Sequence, residues 1–296
     1  MFLLLTVYAI FSFLSQCASS SLQPPLYVRD WLKGIDPKFR EKCEAMVLGE
    51  PKTFSQGWQD WVIYHNYFKQ ERHMGRGVYV DVGTNGPEAI SNTLFFDKCL
   101  GWKGLCIEPQ STYHSEILKT RSCTLIPDCV LGDIASVKFI GNGGGGAVEV
   151  TNGGDTKCLA FLDVLQSNNI TKIDFMSIDI ERSEASVLRC FPFDKVEIDI
   201  ILLETDKWHL REVDLFFHRH GYSNDETFLN SVSGTEGQNY YIDNLYVKRK
   251  MHTYPPVENF VCSDDDHESM LSWCAKWQTW KSDVFEWGEC KPFSPA

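Results

Sequence analysis

The sequence predicts a doubly wound α/β protein built on a mainly parallel sheet. Short, continuously apolar runs recur along the chain, longer segments with helical spacing separate them, and acidic residues stand at the carboxyl ends of three runs. Apolar runs without polar alternation suit strands buried on both faces, and the helices between them supply the crossovers that parallel pairing requires. At 296 residues the chain can form one large domain with appendages.

The first 28 residues carry no charged side chain, and Phe2 to Leu14 form an apolar run followed by the small residues "CASS". That run matches a signal-peptide core in length and falls short of the roughly 20 residues that span a bilayer. A secretory signal over residues 1–20, cleaved around Ala18 to Ser20, is expected, with a mature chain in the lumen of the secretory pathway or outside the cell. Retained uncleaved, the segment becomes an anchor, and only then does the protein meet a membrane. Residues 21–53, which contain "LQPPL", read as a lead-in or stalk. "SQGWQDWVIYHNYF" (Ser55 to Phe68) has the aromatic and apolar spacing of an amphipathic helix with a polar cap at Ser55.

The expected strands are "VYVDV" (78–82), "GLCIEP" (104–109), "TLIPDCV" (124–130), "IDFMSID" (173–179) and "IDIILLE" (198–204). Helices are expected between them at about 88–99, 111–120, 157–168, 182–191 and 207–220. "YSNDETFL" and "NLYVKRK" then read as a terminal antiparallel hairpin. "GNGGGG" (141–146) is too glycine-rich for regular structure and lacks the Lys-Ser/Thr of a phosphate loop, so it reads as a connector. The domain is placed at 54–250. Residues 251–296, with three cysteines and four tryptophans, read as a disulfide-stapled extension whose Asp264, Asp265, Asp266 and His267 form a solvated acidic loop.

Composition narrows the function. The formal charge is 28 minus 40, or −12, with the basic residues scattered, so a nucleic-acid partner is not expected. Of eleven cysteines, ten remain once Cys17 leaves with the signal; no CxxC pair or zinc spacing occurs, which favours disulfides of unspecified connectivity. Asn169-Ile170-Thr171 is a glycan acceptor sequence.

The turn "DVGTNGPEAIS" (81–91) follows the first expected strand, where open α/β sheets bind ligands. It lacks G-x-G-x-x-G, and Pro87 has no N–H to offer a pyrophosphate. S-adenosylmethionine carries no phosphate and suits such a turn. Its ribose hydroxyls need a carboxylate, which Glu108 could supply about 25 residues beyond Gly83 at the end of the second strand. Asp81, Gly83 and Asn85 line the turn, although Asp81 and Asn85 read equally well as caps of the next helix. Asp179 and Glu181 end the fourth strand, and Glu204 and Asp206 the fifth. Carboxylates clustered on one edge repel unless a cationic or hydroxyl-bearing ligand, or a metal, compensates them.

These segments resemble the FkbM-type family of S-adenosylmethionine-dependent methyltransferases. "SQGWQDW", "YVDVGTNGPEAISNT", "GWKGLCIEPQ", "CLAFLDVLQSNNITKIDFMSIDIERSEASVLRCF" and "DNLYVKR" occur in the family's order over about residues 54–249. The resemblance implies a seven-stranded Rossmann-like sheet, a first cofactor motif at Asp81, Gly83, Asn85 and Ser91, and a ribose-binding acid at Glu108. Asp179, Glu181 and Glu184 match its "D-x-E-G-x-E" segment. Pro87 and Arg182 stand where the family has glycine. The implied chemistry is transfer of a methyl group to an acceptor oxygen, with Asp179 or Glu181 as base or orienting group and Glu204 in support. The similar macrocin-type sugar O-methyltransferases hold Mg²⁺ with such oxygen ligands. The expected acceptor is a glycan or small-molecule hydroxyl. The alternative is a non-catalytic protein of the same fold, similar to the membrane-anchored Star proteins that assist trafficking.

Overall fold

The computed structural model describes residues 26–50, 52–131, 136–140, 147–151, 156–180, 184–188, 191–205, 210–225 and 243–249. The elements in order are α1 (Leu26–Lys33), α2 (Pro37–Leu48), α3 (Gln59–Ile63, continued by a π-helical turn, Tyr64–Phe68), β1 (Val78–Val82), α4 (Leu94–Lys98), β2 (Lys103–Ile107), α5 (Ser111–Thr120) and β3 (Thr124–Ile126). Then come β4 (Val130–Leu131), β5 (Ser136–Ile140), β6 (Ala147–Thr151), β7 (Thr156–Lys157), β8 (Leu159–Ala160), α6 (Phe161–Ser167), β9 (Lys172–Ile178), α7 (Glu184–Leu188), β10 (Glu197–Glu204), α8 (Leu210–Arg219), β11 (Tyr222–Asn224) and β12 (Asp243–Lys248).

The apolar runs pair into one seven-stranded sheet of order β3-β2-β1-β9-β10-β12-β11, in which β12 alone runs antiparallel to its neighbours. The chain winds outward from β1 to β3 and returns to β9 on the other side of β1. The sheet therefore changes winding direction between β1 and β9, and a crevice opens there at the carboxyl edge. In register, Val82 is level with Ile107 and Ile178, and Ile178 with Leu203, while Glu204 stands opposite Asp243. Because β12 is antiparallel, its first residue lies on the same edge as the last residues of the parallel strands.

Both faces are buried, as the apolar runs require. Tyr79, Phe175, Ile200 and Leu202 pack with α1 to α5 on one side, and Val80, Val82, Ile178, Ile201 and Leu203 pack with α6, α7 and α8 on the other. The segment expected as a lead-in or stalk forms α1 and α2, whose Val28, Leu32, Phe39 and Met46 enter the first of these cores. Cys43–Cys99 ties α2 to the end of α4, Cys106–Cys123 joins β2 to the approach of β3, and Cys129–Cys158 closes the excursion carrying β4 to β7. Cys190, Cys262, Cys274 and Cys290 lie outside the described residues, as do the signal segment, the glycine connector and the extension from Met251.

Several boundaries differ from expectation for local reasons. The helix expected from Ser55 starts at Gln59. The fully buried Asp60 carboxylate gathers Thr53, the Phe54 N–H (2.7 Å), the Ser55 hydroxyl (2.8 Å) and the Trp61 N–H (2.8 Å), holding residues 53–58 as a turn in which Trp58 adopts φ 72°. The strand expected at 124–130 divides at Pro127, which has no N–H for the ladder; Val130–Leu131 pairs with β8 instead. The helix expected at 88–99 shrinks to 94–98 because Pro87 and Ile90 (φ 51°) keep the preceding residues in a loop. Leu159–Ala160 forms a strand before α6 begins at Phe161. Among the described residues no helix is long and apolar enough to cross a membrane.

Candidate functional site

The turn after β1 is held by close backbone packing. Gly83 adopts φ 85°, and a Cβ there would lie 1.9 Å from the Asp179 carbonyl oxygen, so only glycine lets the ends of β1 and β9 approach this closely. The backbone N–H groups that follow are spent within the fold. Those of Gly83 and Thr84 donate to the Ile107 carbonyl (3.0 and 3.2 Å), that of Asn85 to Glu108 Oε2 (2.7 Å) and that of Gly86 to Asn85 Oδ1 (2.7 Å). With Pro87 next, the stretch from Gly83 to Pro87 offers no free backbone donor to an anion. Beside Gly86 a Cβ would meet nothing within 4 Å, so this side of the turn is open.

Glu108 follows β2 and is 3 % exposed. Its two oxygens accept the N–H groups of Asn85 and Gln110 (both 2.7 Å), so one carboxylate fixes both the first turn and the start of α5. Burial pushes its carboxyl above the usual range, and these two N–H donors pull it back. Each oxygen keeps a lone pair for a further donor, which is what a pair of ribose hydroxyls requires.

Asp81 serves the turn from beneath. Its Oδ2 accepts from the Thr93 hydroxyl (2.6 Å) and from the Arg121 guanidinium (3.4 Å), while Arg121 also donates to Asp97 (2.8 Å), Ser91 (3.2 Å) and Thr93 (2.6 Å). Burial raises the Asp81 carboxyl, and Arg121 and Thr93 oppose that rise. Ser91 caps α4 by accepting from the Leu94 N–H (3.1 Å). Asp81 and Ser91 thus hold the loop, Gly83 and Asn85 shape it, and Glu108 fastens it to β2.

Across the crevice, Asp179 follows β9 with its N–H bonded to the Val82 carbonyl (3.0 Å) and its side chain exposed. Glu184 Oε1 accepts the Ile180 N–H (3.1 Å), tying the start of α7 to the end of β9. Glu204 ends β10, half-buried opposite Asp243. Glu181, Arg182 and Asp206 lie outside the described residues. No group of three or more His, Cys, Asp or Glu able to hold a metal occurs among the described residues.

Three residues in this region had no role in the sequence reading. Arg121 stands two residues before Cys123, with no local pattern to mark its pairing. Gln59 and Asp243 sit in "SQGWQDW" and "DNLYVKR", and Gln59 Nε2 donates to Asp243 Oδ2 at 2.6 Å across 184 positions of sequence. The signal for Asp243 was an acidic residue opening the last strand of the sheet. That signal acquires meaning only once β12 is known to be antiparallel.

Residues 81–223 match the sequence profile of the methyltransferase FkbM domain. A search of curated proteins returns no match. Among solved structures the chain is similar to the methyltransferase FkbM from Methylobacillus flagellatus KT, with 12% identity over 75% of this chain and 58% of that one, at a TM-score of 0.35. It is also similar to precorrin-6y C5,15-methyltransferase from Geobacter metallireducens (12% identity, 52% of this chain and 68% of that one, TM-score 0.33). A putative RNA methyltransferase from Pyrococcus horikoshii gives 10% identity over 71% of this chain and 98% of that one, with a TM-score of 0.34. The seven-stranded sheet and the glycine turn with the acid that follows β2 agree with the profile match over residues 81–223, and that match implies S-adenosylmethionine as methyl donor.

Proposed function

We propose that the protein is an S-adenosylmethionine-dependent O-methyltransferase of the secretory pathway, acting on a hydroxyl of a glycan or small molecule. The observation that carries this reading is the Asn85–Glu108 clasp beside the open face of Gly86. It combines a turn whose N–H groups from Gly83 to Gly86 are spent within the fold with a buried carboxylate just past the end of β2. The three disulfides among the described residues support an oxidising compartment, as does the exposed Asn169 of the Asn-Ile-Thr sequence in the turn after α6.

In this reading Glu108 accepts the ribose hydroxyls, and Asp81, Gly83 and Asn85 present the turn to the amino-acid portion of the donor, with Ser91 keeping the loop in place. When bound, the donor supplies an electrophilic methyl group on a sulfonium. Asp179, exposed beside Gly83, orients the acceptor hydroxyl together with Glu181, and Glu204 supports them from the neighbouring strand. Alignment and proton removal are then the main tasks left to the chain. Asp179→Asn is expected to lower methyl transfer from labelled donor to glycans by about tenfold or more while leaving donor affinity within about twofold. Unchanged turnover would remove Asp179 from the mechanism.

One observation favours a second reading, a non-catalytic protein of the same fold with a trafficking or interaction role. Asp81 and both oxygens of Glu108 already have partners inside the protein, so the turn is stable without any ligand. A folded chain that binds neither the donor nor its demethylated product supports that reading over the enzyme.

A further inference from the structure

We propose that Asp243, held by Gln59, is the proton acceptor for the hydroxyl that receives the methyl group. The assignment rests on the methyltransferase reading above and adds to it the group that takes the proton.

Position is the first argument. Asp243 opens β12, so antiparallel pairing brings it to the carboxyl edge opposite Glu204 of β10, two strands beyond β9 and three beyond β1 with its glycine turn. The second argument is how it is held. Gln59 is buried, and its amide can face only one way: Oε1 accepts the Gly57 N–H (2.6 Å), so Nε2 must donate to Asp243 Oδ2 (2.6 Å). The turn that carries Gln59 is itself fixed by Asp60, with its four donors and full burial. One oxygen of Asp243 is thereby anchored. Among the described residues no hydrogen bond reaches Oδ1, which is left for a substrate proton.

The surroundings suit a base near neutrality. Glu204 faces Asp243 across the strand pair and Asp179 faces it from the end of β9, while the Gln59 amide is neutral. Burial pushes the Asp243 carboxyl up to about 6, the Gln59 hydrogen bond works against the rise, and the Asp179 charge adds to it. A base must be deprotonated to act, so turnover should climb as pH rises through about 6 and level off above it. In the step itself the hydroxyl oxygen forms the new O–C bond, the S–C bond breaks with its electron pair going to sulfur, and the hydroxyl proton passes to Asp243 Oδ1. The sulfonium becomes a neutral thioether and the carboxylate a neutral acid, so atoms and charges balance.

The test uses the full chain, S-adenosylmethionine, and a panel of methyl glycosides and simple alcohols as acceptors, with demethylated donor measured between pH 5 and 8. Asp243→Asn can still accept the Gln59 hydrogen bond; it should bind donor within about twofold of the parent by calorimetry and lose about a hundredfold or more in turnover, together with the acid limb of the profile. Gln59→Leu should move that limb to higher pH, because the hydrogen bond it removes is one that lowers the carboxyl's pKa. A merely structural role for Gln59 would not move the limb. Retained turnover in Asp243→Asn, or an unmoved limb in Gln59→Leu, overturns the assignment. Donor binding without methylation of any panel member contradicts it together with the hydroxyl acceptor. A parent protein that binds no donor overturns the methyltransferase reading beneath it.

Discussion

Gly83 shows how much one position can decide. Its left-handed backbone and its contact with the Asp179 carbonyl leave no room for a methyl group, so Gly83→Ala must force β1 and β9 apart or distort the turn. A loss of at least ~2 kcal/mol of stability is expected, measurable by chemical denaturation; a variant as stable as the parent would show that the turn relaxes freely. Gly83 and Glu108 were legible in the sequence because each sits at the end of an apolar run, and in a parallel sheet such ends share one edge. Asp243 was not, because its place depends on strand direction and on a partner 184 residues away. Pro87, which departs from the family pattern, follows four residues whose N–H groups are already spent internally.

At the scale of elements, α4, α5 and β1 are joined by a single buried cation. Arg121, just past the end of α5, reaches Asp97 on α4 and Asp81 on β1, and it is closed off from water. Removing one partner from such a group leaves uncompensated charge inside the protein, which is more damaging than the net worth of the pair. Arg121→Met should therefore destabilise the fold by about 3–5 kcal/mol, read as a fall in the denaturation midpoint. A change below about 1 kcal/mol would mean that the two carboxylates simply take up protons or water. The strand and helix sequence was legible from hydrophobic period, and the sheet segments of 78–82, 173–179 and 198–204 agree with expectation to within a residue or two. The turns were less legible. Ser55 looked like a helix cap because hydroxyl residues usually are, yet it serves the buried Asp60, and Pro127 ended a strand that apolar content alone would have continued.

For the whole molecule, the sheet order places Gly83, Glu108, Asp179, Glu204 and Asp243 along one edge although 160 positions of sequence separate the first from the last. The parallel strands bring the acids together, the antiparallel β12 adds one more, and the N-terminal segment reaches over with Gln59 to hold it. Fold class and the edge where the site lies follow from the alternation of apolar runs and helical segments. The pairing of carboxylates with Arg121 and Gln59 does not, since such contacts have no period. The central claim is that this edge holds a methyl donor through Glu108. Calorimetry of the full chain with S-adenosylmethionine and with its demethylated product tests it most directly, run alongside Glu108→Gln. Saturable binding of both ligands is predicted, with affinity about tenfold weaker in the variant, the equivalent of one charge-assisted hydrogen bond. A folded chain that gives no heat with either ligand at millimolar concentration, or binding that Glu108→Gln leaves unchanged, would contradict it.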